Sequence, residues 1–203
     1  GSKVSTKIDL LISLVKKVDF LVIGGAMANT FLLEKGFDIG KSMVEADKIN
    51  IARNVLEKAR ENNCSIILPK DVVVSNNLEK LSDVKNIDLK EMNENLAIFD
   101  IGEKTIEEIS NTASNCKTIF WNGPLGVYEI PPFDNSTNVI GRTIALLTRG
   151  KMLTSVVGGG DTVAALNNAE LTGGFTYVSI AGGALIEWLE GKSLPGLQFL
   201  ENL

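Results

Sequence analysis

The stretch Gly158-Gly-Gly-Asp-Thr162 is the part of this 203-residue chain whose residue types best suit binding of an anion. Three consecutive glycines leave their backbone N–H groups accessible to a phosphate, because no side chain covers them. Asp161 adds a hard oxygen ligand for Mg²⁺ beside phosphates, and Thr162 adds a hydroxyl donor. Alternatively, Asp161 or Thr162 caps a following helix over 163–169, a role that is compatible with ligand binding.

Two lysines near the start of the chain, Lys3 and Lys7, have the i and i+4 spacing that places side chains on one face of a helix. Two ammonium groups so placed repel each other unless an anion lies between them. From spacing alone, the favoured interpretation is an exposed terminal helix with solvated lysines.

The sequence contains no histidine, which restricts the chemistry that the chain can perform. Ser-His-Asp and Cys-His nucleophile systems and His-ligated metal sites are excluded. Proton transfer by an imidazole near neutral pH is excluded as well. Lysines, carboxylates, hydroxyls and backbone amides are left, and these groups suit phosphate binding and charge neutralisation.

Two familiar phosphate motifs do not match. The stretch Gly36-Phe-Asp-Ile-Gly40-Lys41-Ser42 resembles a P-loop, but it has three residues between its glycines where the motif has four, and it follows a helical pattern. We therefore assign Lys41 to a surface loop. No G-x-G-x-x-G opens a helix after the first predicted strand, so a dehydrogenase-like domain stays only as an alternative.

Six short apolar runs predict the strands that position these residues. They are rich in β-branched and aromatic residues and mostly unbroken, which is typical of strands buried on both faces of a parallel sheet. The runs cover residues 20–23, 65–68, 96–99, 118–121, 153–157 and 175–178.

Amphipathic helical patterns over 45–61, 103–114 and 134–147 alternate with these runs. The alternation predicts one α/β domain, a three-layer Rossmann-like fold with a mainly parallel sheet of about six strands flanked by helices. Residues 76–95 are polar and weakly patterned, and we interpret them as an irregular excursion.

Five of the six predicted strands end in a turn that contains glycine. The carboxyl ends of parallel strands meet at one sheet edge, where ligands bind, and glycine lets the backbone approach a ligand closely. A single such turn is equally well explained as a tight βα turn, but five on one edge favour a ligand-binding edge. The turns begin at Gly24, Asp100, Asn122, Gly158 and Ser179.

Charge and cysteine content exclude several classes of partner. A net charge of −5 and a pI near 4.9 argue against nucleic acid and anionic membranes, which require a basic surface. Cys64 and Cys116 are too few for a disulfide scaffold. The longest apolar run, 20–33, is shorter than the ~20 residues of a membrane helix, and we expect no secretory leader. We expect a cytoplasmic, monomeric protein.

Taken together, several motifs resemble those of the phosphoglycerate kinase family, in family order and along essentially the whole chain. They match its carboxyl-terminal, nucleotide-binding half. The resemblance implies that this domain covers residues 3–203 and that the amino-terminal substrate domain is absent. The motifs are Lys3-Val-Ser-Thr-Lys7-Ile, Val22-Ile-Gly-Gly-Ala-Met-Ala-Asn-Thr-Phe31, Trp121-Asn-Gly-Pro-Leu-Gly-Val-Tyr-Glu129, Val157-Gly-Gly-Gly-Asp-Thr162, Gly182-Gly-Ala and Leu189-Glu-Gly-Lys-Ser-Leu-Pro-Gly196.

The resemblance implies a role for each matched residue. Lys3 would follow the transferring phosphoryl group, Gly182 and Gly183 would begin a phosphate-facing helix at the catalytic centre, and Asp161 would bind Mg²⁺. Gly24 and Gly25 would line the adenine pocket, Glu129 would accept the ribose hydroxyls, and the wall of the base site would be Pro124, Gly126 and Val127. The implied contacts around the phosphates and their Mg²⁺ are Lys7, Asn122, Gly159, Gly160, Asp161 and Thr162.

The implied activity of the intact enzyme is glycolytic phosphate transfer between 1,3-bisphosphoglycerate and MgADP, giving 3-phosphoglycerate and MgATP. This chain alone would bind MgADP or MgATP with negligible turnover, and a non-catalytic adenine-nucleotide-binding module is the alternative. The sequence departs from the family at three places: Ile180-Ala181 replaces the usual Thr-Gly, Thr6 a frequent Asp and Ala26 a frequent Gly. Alanine at position 26 requires a negative φ there.

Overall fold

The computed structural model describes residues 3–79 and 81–194, which contain seven α-helices and eight strands. Residues 195–203 of the predicted domain, including the Pro195-Gly196 end of the last motif, lie outside this part. The helices are α1 (Ile8–Leu14), α2 (Ala26–Glu34), α3 (Ile49–Glu61), α4 (Glu103–Asn115), α5 (Asn135–Arg149), α6 (Gly160–Asn168) and α7 (Gly182–Leu189). The strands are β1 (Phe20–Val22), β2 (Ser65–Ile67), β3 (Asp71–Ser75), β4 (Lys85–Asp88), β5 (Ala97–Ile101), β6 (Thr118–Asn122), β7 (Thr154–Gly158) and β8 (Tyr177–Val178).

The prediction of an α/β fold with helix-flanked parallel strands is confirmed. β1 pairs parallel with β2, and β6, β7 and β8 form a parallel sheet in that order. Within the described ranges, five of the six predicted runs therefore lie in parallel pairings. The sixth, 96–99, belongs to β5, which joins an antiparallel sheet in the order β4-β3-β5. An apolar run reports burial but does not report the direction of its partner strand, and so the parallel sheets have fewer strands than predicted.

The interpretation of 76–95 as an irregular excursion is wrong for residues 85–88, which form β4. This edge strand reads Lys-Asn-Ile-Asp and is half exposed, so it carries little of the apolar pattern by which strands are predicted. Its pairing with β3, from Asp71 opposite Asp88 to Val74 opposite Lys85, makes it a strand.

The three predicted amphipathic helices are confirmed as α3, α4 and α5, with ends within a few residues of the pattern. The 45–61 pattern begins as a short 3₁₀ turn, Ala46–Lys48, before α3 starts. Each helix buries one apolar face, as α3 does with Ala52, Val55, Leu56 and Ala59. One part of the core lies among α1, α2 and α3, and a second surrounds β6 and β7.

In residues 3–79 and 81–194, no helix combines the length and the apolar character needed to cross a lipid bilayer.

Candidate functional site

The turns that follow β6 and β7 are hydrogen-bonded to each other. Asn122 ends β6 opposite Gly158 of β7, and its Nδ2 donates to the Gly158 carbonyl at 2.7 Å. The Thr162 hydroxyl accepts the N–H of Gly123 at 2.6 Å and donates to the same carbonyl at 3.1 Å. The glycine-rich stretch and the turn after β6 thus form one site, as their position at the carboxyl ends of parallel strands predicts.

Helix α6 begins earlier than the sequence pattern predicts, at Gly160, with Gly159 as its N-cap. Asp161 and Thr162 therefore lie in the first turn, and neither caps the helix as the alternative interpretation required. Gly159 has a φ of +98°, and a Cβ there would lie 2.5 Å from Asn122 Nδ2. Only glycine fits at this position without moving Asn122.

Asp161 is exposed at this helix start, close enough to Lys7 for their charges to interact. Within the described ranges, no group of three or more Cys, Asp or Glu side chains could hold a metal ion alone. Mg²⁺ is commonly bound through one or two carboxylates together with waters and substrate phosphates. The single Asp161 carboxylate fits a Mg²⁺ ion that is also bound to a nucleotide, and does not fit a closed protein cage.

Lys7 reaches this cluster from the other end of the sequence. Its Nζ donates to Asn122 Oδ1, and its side chain is half-buried. Burial lowers the pKa of Lys7, while the carboxylates of Glu190 and Asp161 oppose that shift. A bound phosphate would add the negative charge that a partly desolvated ammonium favours.

Lys3 and Lys7 do not share a helical face, because α1 begins only at Ile8. The residues before it form a turn in which the Lys7 N–H donates to the Val4 carbonyl at 3.0 Å. Lys3 is exposed on this turn. The expectation of an exposed terminal helix carrying both lysines is therefore wrong.

Glu45 holds this turn in place, a function that sequence reasoning missed. Its carboxylate accepts the N–H of Ser5 at 3.1 Å and also the Ser5 hydroxyl. These bonds lower the pKa of Glu45, and the bond from the Ser5 hydroxyl has the largest effect. Burial acts in the opposite direction. Its own N–H donates to Thr30 of α2 at 3.3 Å. The sequence pattern placed Glu45 at the start of a helix and indicated no contact for it, because its partner Ser5 lies 40 positions away.

We expect Glu45→Gln to weaken nucleotide binding about threefold to tenfold, because the Lys3–Lys7 turn loses a charged acceptor. Glu34→Gln is the matched control, since Glu34 at the end of α2 also loses a charged acceptor, in its case for Arg53 at 3.1 Å. Isothermal titration of both variants measures the difference, and equal affinities in the two would contradict the expectation.

The predicted adenine-pocket glycines lie beside the segment 123–134, the turn between β6 and α5. A Cβ on Gly24 would lie 2.5 Å from Leu125 Cδ2, so the turn after β1 contacts this segment. Gly25 has a φ of +68° as the N-cap of α2. Ala26 begins α2 and does not have a positive φ. Alanine is therefore tolerated where the family frequently has glycine.

The segment 123–134 also carries the predicted base and ribose residues Pro124, Gly126, Val127 and Glu129. The N–H of Val127 donates to the Phe99 carbonyl at 2.9 Å, and Glu129 is exposed. Burial and the nearby carboxylates of Glu129 and Asp161 raise the pKa of Tyr128. Tyr128, which the sequence reasoning did not single out, therefore lies near both predicted ligand carboxylates.

Gly182 and Gly183 begin α7 as predicted, and a Cβ on either would meet no atom within 4 Å. Helix α7 packs beside the glycine-rich stretch, since a Cβ on Gly158 would lie 2.9 Å from Leu185 Cδ2. Ile180, the departure from the family pattern, is 98% exposed.

The structure thus joins Lys7, Asn122, Gly159 and Thr162 directly, with Asp161 beside them. Lys3 and Glu129 are exposed, and the roles assigned to them and to Gly182 and Gly183 stay predictions. Lys41 lies on an exposed turn, and its backbone N–H donates to the Leu96 carbonyl at 2.9 Å. That contact is next to β5, in the antiparallel sheet, and Lys41 belongs to a surface loop as predicted.

Comparison with known proteins agrees with the motifs. The phosphoglycerate kinase family model matches residues 1–192. The phosphoglycerate kinase of Rhizobium meliloti (strain 1021) is 52% identical over 202 residues, which cover 100% of this chain and 51% of that protein. A phosphoglycerate kinase structure from Coxiella burnetii superimposes with a TM-score of 0.92 at 43% identity, covering 100% of this chain and 51% of that one. For the enzyme structure from Pyrococcus horikoshii OT3 the TM-score is 0.81 at 29% identity, with 99% and 50% coverage.

The chain spans about half the length of the curated relatives it matches. The resemblance drawn from the motifs is confirmed, and the matching half is the carboxyl-terminal one. The chain belongs to the phosphoglycerate kinase family.

Proposed function

We propose that this chain is the nucleotide-binding domain of a phosphoglycerate kinase and binds MgADP or MgATP at the carboxyl ends of β6 and β7. The observation that carries the proposal is the bonded cluster of Lys7, Asn122 and Thr162 around the Gly158 carbonyl. The half-buried Lys7 ammonium is close enough to Asp161, an exposed carboxylate in the first turn of α6, for their charges to interact.

The chemistry of the nucleotide phosphates matches this arrangement. Lys7 and the backbone N–H groups at the start of α6 would neutralise phosphate oxygens. Asp161 would hold the Mg²⁺ ion, which would supply further positive charge beside the phosphates. The segment 123–134 would contact the base, and the exposed Glu129 would accept the ribose hydroxyls.

Phosphoryl transfer suits a domain without histidine. Its loose transition state requires in-line positioning and charge neutralisation more than a general base. Lys3, exposed on the turn that Glu45 holds, would follow the phosphoryl group between acyl phosphate and nucleotide. Closure against the other half of the enzyme would exclude water from the reacting groups.

The second substrate is 1,3-bisphosphoglycerate or 3-phosphoglycerate. It would bind to the other half of the enzyme, which this chain does not span. The isolated chain would therefore bind nucleotide without significant turnover. A coupled assay of the isolated chain should give less than about a thousandth of the rate of an intact kinase, because positioning of the two substrates is lost. A rate comparable to that of an intact kinase would refute this part of the proposal.

Isothermal titration tests the proposed function directly. We expect binding of MgADP, weaker binding of ADP in the presence of EDTA, and no heat from 3-phosphoglycerate. Titration with NAD distinguishes the proposed function from the dehydrogenase-like alternative. Preference for NAD over MgADP would overturn the proposal. A non-catalytic module would bind MgADP equally well, but the full-length protein would then transfer no phosphate. The proposal instead expects phosphate transfer by the full-length protein and its loss in Lys3→Ala.

A further inference from the structure

Two buried carboxylates, Asp71 on β3 and Asp100 on β5, bind the first turns of helices that begin far away in the sequence. Each side chain belongs to a residue that is only 1% exposed. The strands are neighbours, with Val73 opposite Asp100. Asp71 binds the start of α4, and Asp100 binds the start of α5.

Asp100 accepts three hydrogen bonds, two of which join β5 to α5. Its Oδ2 accepts the N–H of Ser136 at 3.0 Å. Its Oδ1 accepts the N–H of Ile101 at 2.9 Å and the Ser136 hydroxyl. The N-cap of α5, Asp134, makes no side-chain capping bond, so Asp100 supplies the acceptor that the helix start requires.

Asp100 also contacts the middle of the segment 123–134. A Cβ on Gly126 would lie 2.3 Å from Asp100 Oδ1 and 2.3 Å from the Phe133 carbonyl. The adjacent N–H of Val127 donates to the carbonyl of Phe99, the residue before Asp100. The segment therefore rests on residues 99 and 100 at its centre and is held by Asp100 where α5 begins.

We propose that Asp100 is a positioning residue of the nucleotide site, which fixes the segment 123–134 by holding both the Gly126 backbone and the first turn of α5. The inference rests on the proposed function, since this segment carries the predicted base and ribose residues. Asp100 itself is buried and would not touch the nucleotide.

The geometry requires a carboxyl group at this place. Both oxygens accept a backbone N–H, so either orientation of an asparagine amide would turn an NH₂ group toward a donor. A protonated carboxyl keeps an acceptor lone pair on each oxygen and avoids this conflict. Burial raises the pKa of Asp100 to about 7 against the opposing hydrogen bonds, and the charge of Asp134 adds to the increase.

Asp71 provides a matched control. Its oxygens accept the N–H groups of Lys104 at 3.0 Å and Thr105 at 2.9 Å, and also the Thr105 hydroxyl at 2.7 Å and Asn86 Nδ2 at 3.3 Å. Burial acts to raise the pKa of Asp71, but these bonds outweigh it and the pKa is lowered. Its helix, α4, carries none of the predicted nucleotide residues.

The test compares Asp100→Asn with Asp71→Asn by hydrogen–deuterium exchange and by MgADP titration. In Asp100→Asn we expect amides of 123–134 to exchange about tenfold faster and MgADP to bind about tenfold more weakly. In Asp71→Asn we expect faster exchange at the start of α4, with MgADP affinity within about twofold of the wild type. Equal loss of affinity in the two variants would overturn the inference.

A pH profile of stability tests whether the buried Asp100 carboxyl is protonated in the folded protein. Because the folded pKa lies above the ordinary value of 3.8, the folded protein binds the proton more tightly than the unfolded chain does. Wild-type stability relative to Asp100→Asn should therefore fall as pH rises from about 4 to about 7, with a slope approaching one proton. If the difference in stability between the two proteins did not depend on pH, the Asp100 carboxyl would not be protonated in the folded protein as expected.

If Asp100→Asn does not fold, Ser136→Ala decides, because it removes one donor to Asp100 and keeps the backbone bond. Faster exchange across 123–134 with weaker MgADP binding would support the inference, and unchanged exchange would overturn it. Wild-type protein that protects 123–134 from exchange but binds no nucleotide would refute the proposed function, and the nucleotide role of Asp100 with it.

Discussion

Asp161→Ala is expected to weaken MgADP binding at least about a hundredfold, since even indirect supports of a metal site are worth about tenfold to a hundredfold. Asp161 is exposed in the first turn of α6, where it would be the protein carboxylate on the nucleotide-bound Mg²⁺. Its removal also withdraws a carboxylate that acts on the half-buried Lys7. Isothermal titration with MgADP measures the loss.

Two controls make this result specific. Lys41→Ala removes an exposed charge from the near-match to a P-loop and should leave MgADP affinity unchanged. When ADP is titrated in the presence of EDTA, the affinities of Asp161→Ala and the wild type should differ less, because no Mg²⁺ is then present for the Asp161 carboxylate to bind. Equal effects of the Asp161 and Lys41 substitutions would contradict the assignment of the site.

Gly159→Ala is expected to lower the free energy of unfolding by about 1–3 kcal/mol, the typical energy of a strained backbone conformation. The φ of +98° disfavours any Cβ, and this one would lie 2.5 Å from Asn122 Nδ2. Movement of Asn122 would break its bonds to the Gly158 carbonyl and to Lys7. We therefore also expect MgADP to bind at least about tenfold more weakly.

Gly160→Ala is the matched control for folding. Gly160 is the first residue of α6, and a Cβ there would meet no atom within 4 Å. Alanine favours a helix over glycine by up to about 1 kcal/mol, so this variant should unfold at an equal or higher denaturant concentration than the wild type. If both alanine variants unfolded alike, Gly159 would not be the constrained position described above.

The sequence by itself determined which residue types could do chemistry and most of the elements that carry them. The Gly158–Thr162 stretch and the glycines after the strands pointed to a bound anion before any contact was known, and the absence of histidine excluded imidazole chemistry. Helices α3, α4 and α5 were predicted because each keeps a 3.6-residue apolar period along its length. The six apolar runs were predicted as strands because they are short and rich in β-branched and aromatic residues, and each of them overlaps a strand.

Strand direction and long-range contacts were decided only by the tertiary structure. An apolar run such as 96–99 has the same pattern in either type of sheet, and only its pairing with β3 made β5 antiparallel. Lys7 meets Asn122 across 115 positions of sequence, and Ser5 meets Glu45 across 40. Asp100 meets Ser136 across 36 positions.

These contacts could not be predicted from spacing, because spacing reports neighbours only within one helix or strand. Lys3 and Lys7 illustrate the limit: their i and i+4 spacing predicted a common helical face, but α1 begins after both of them. Their turn is instead held by Glu45, whose position depends on the packing of the loop that follows α2. The residues of the site were thus identifiable from the sequence, whereas the side chains that hold them in place depend on how distant segments pack.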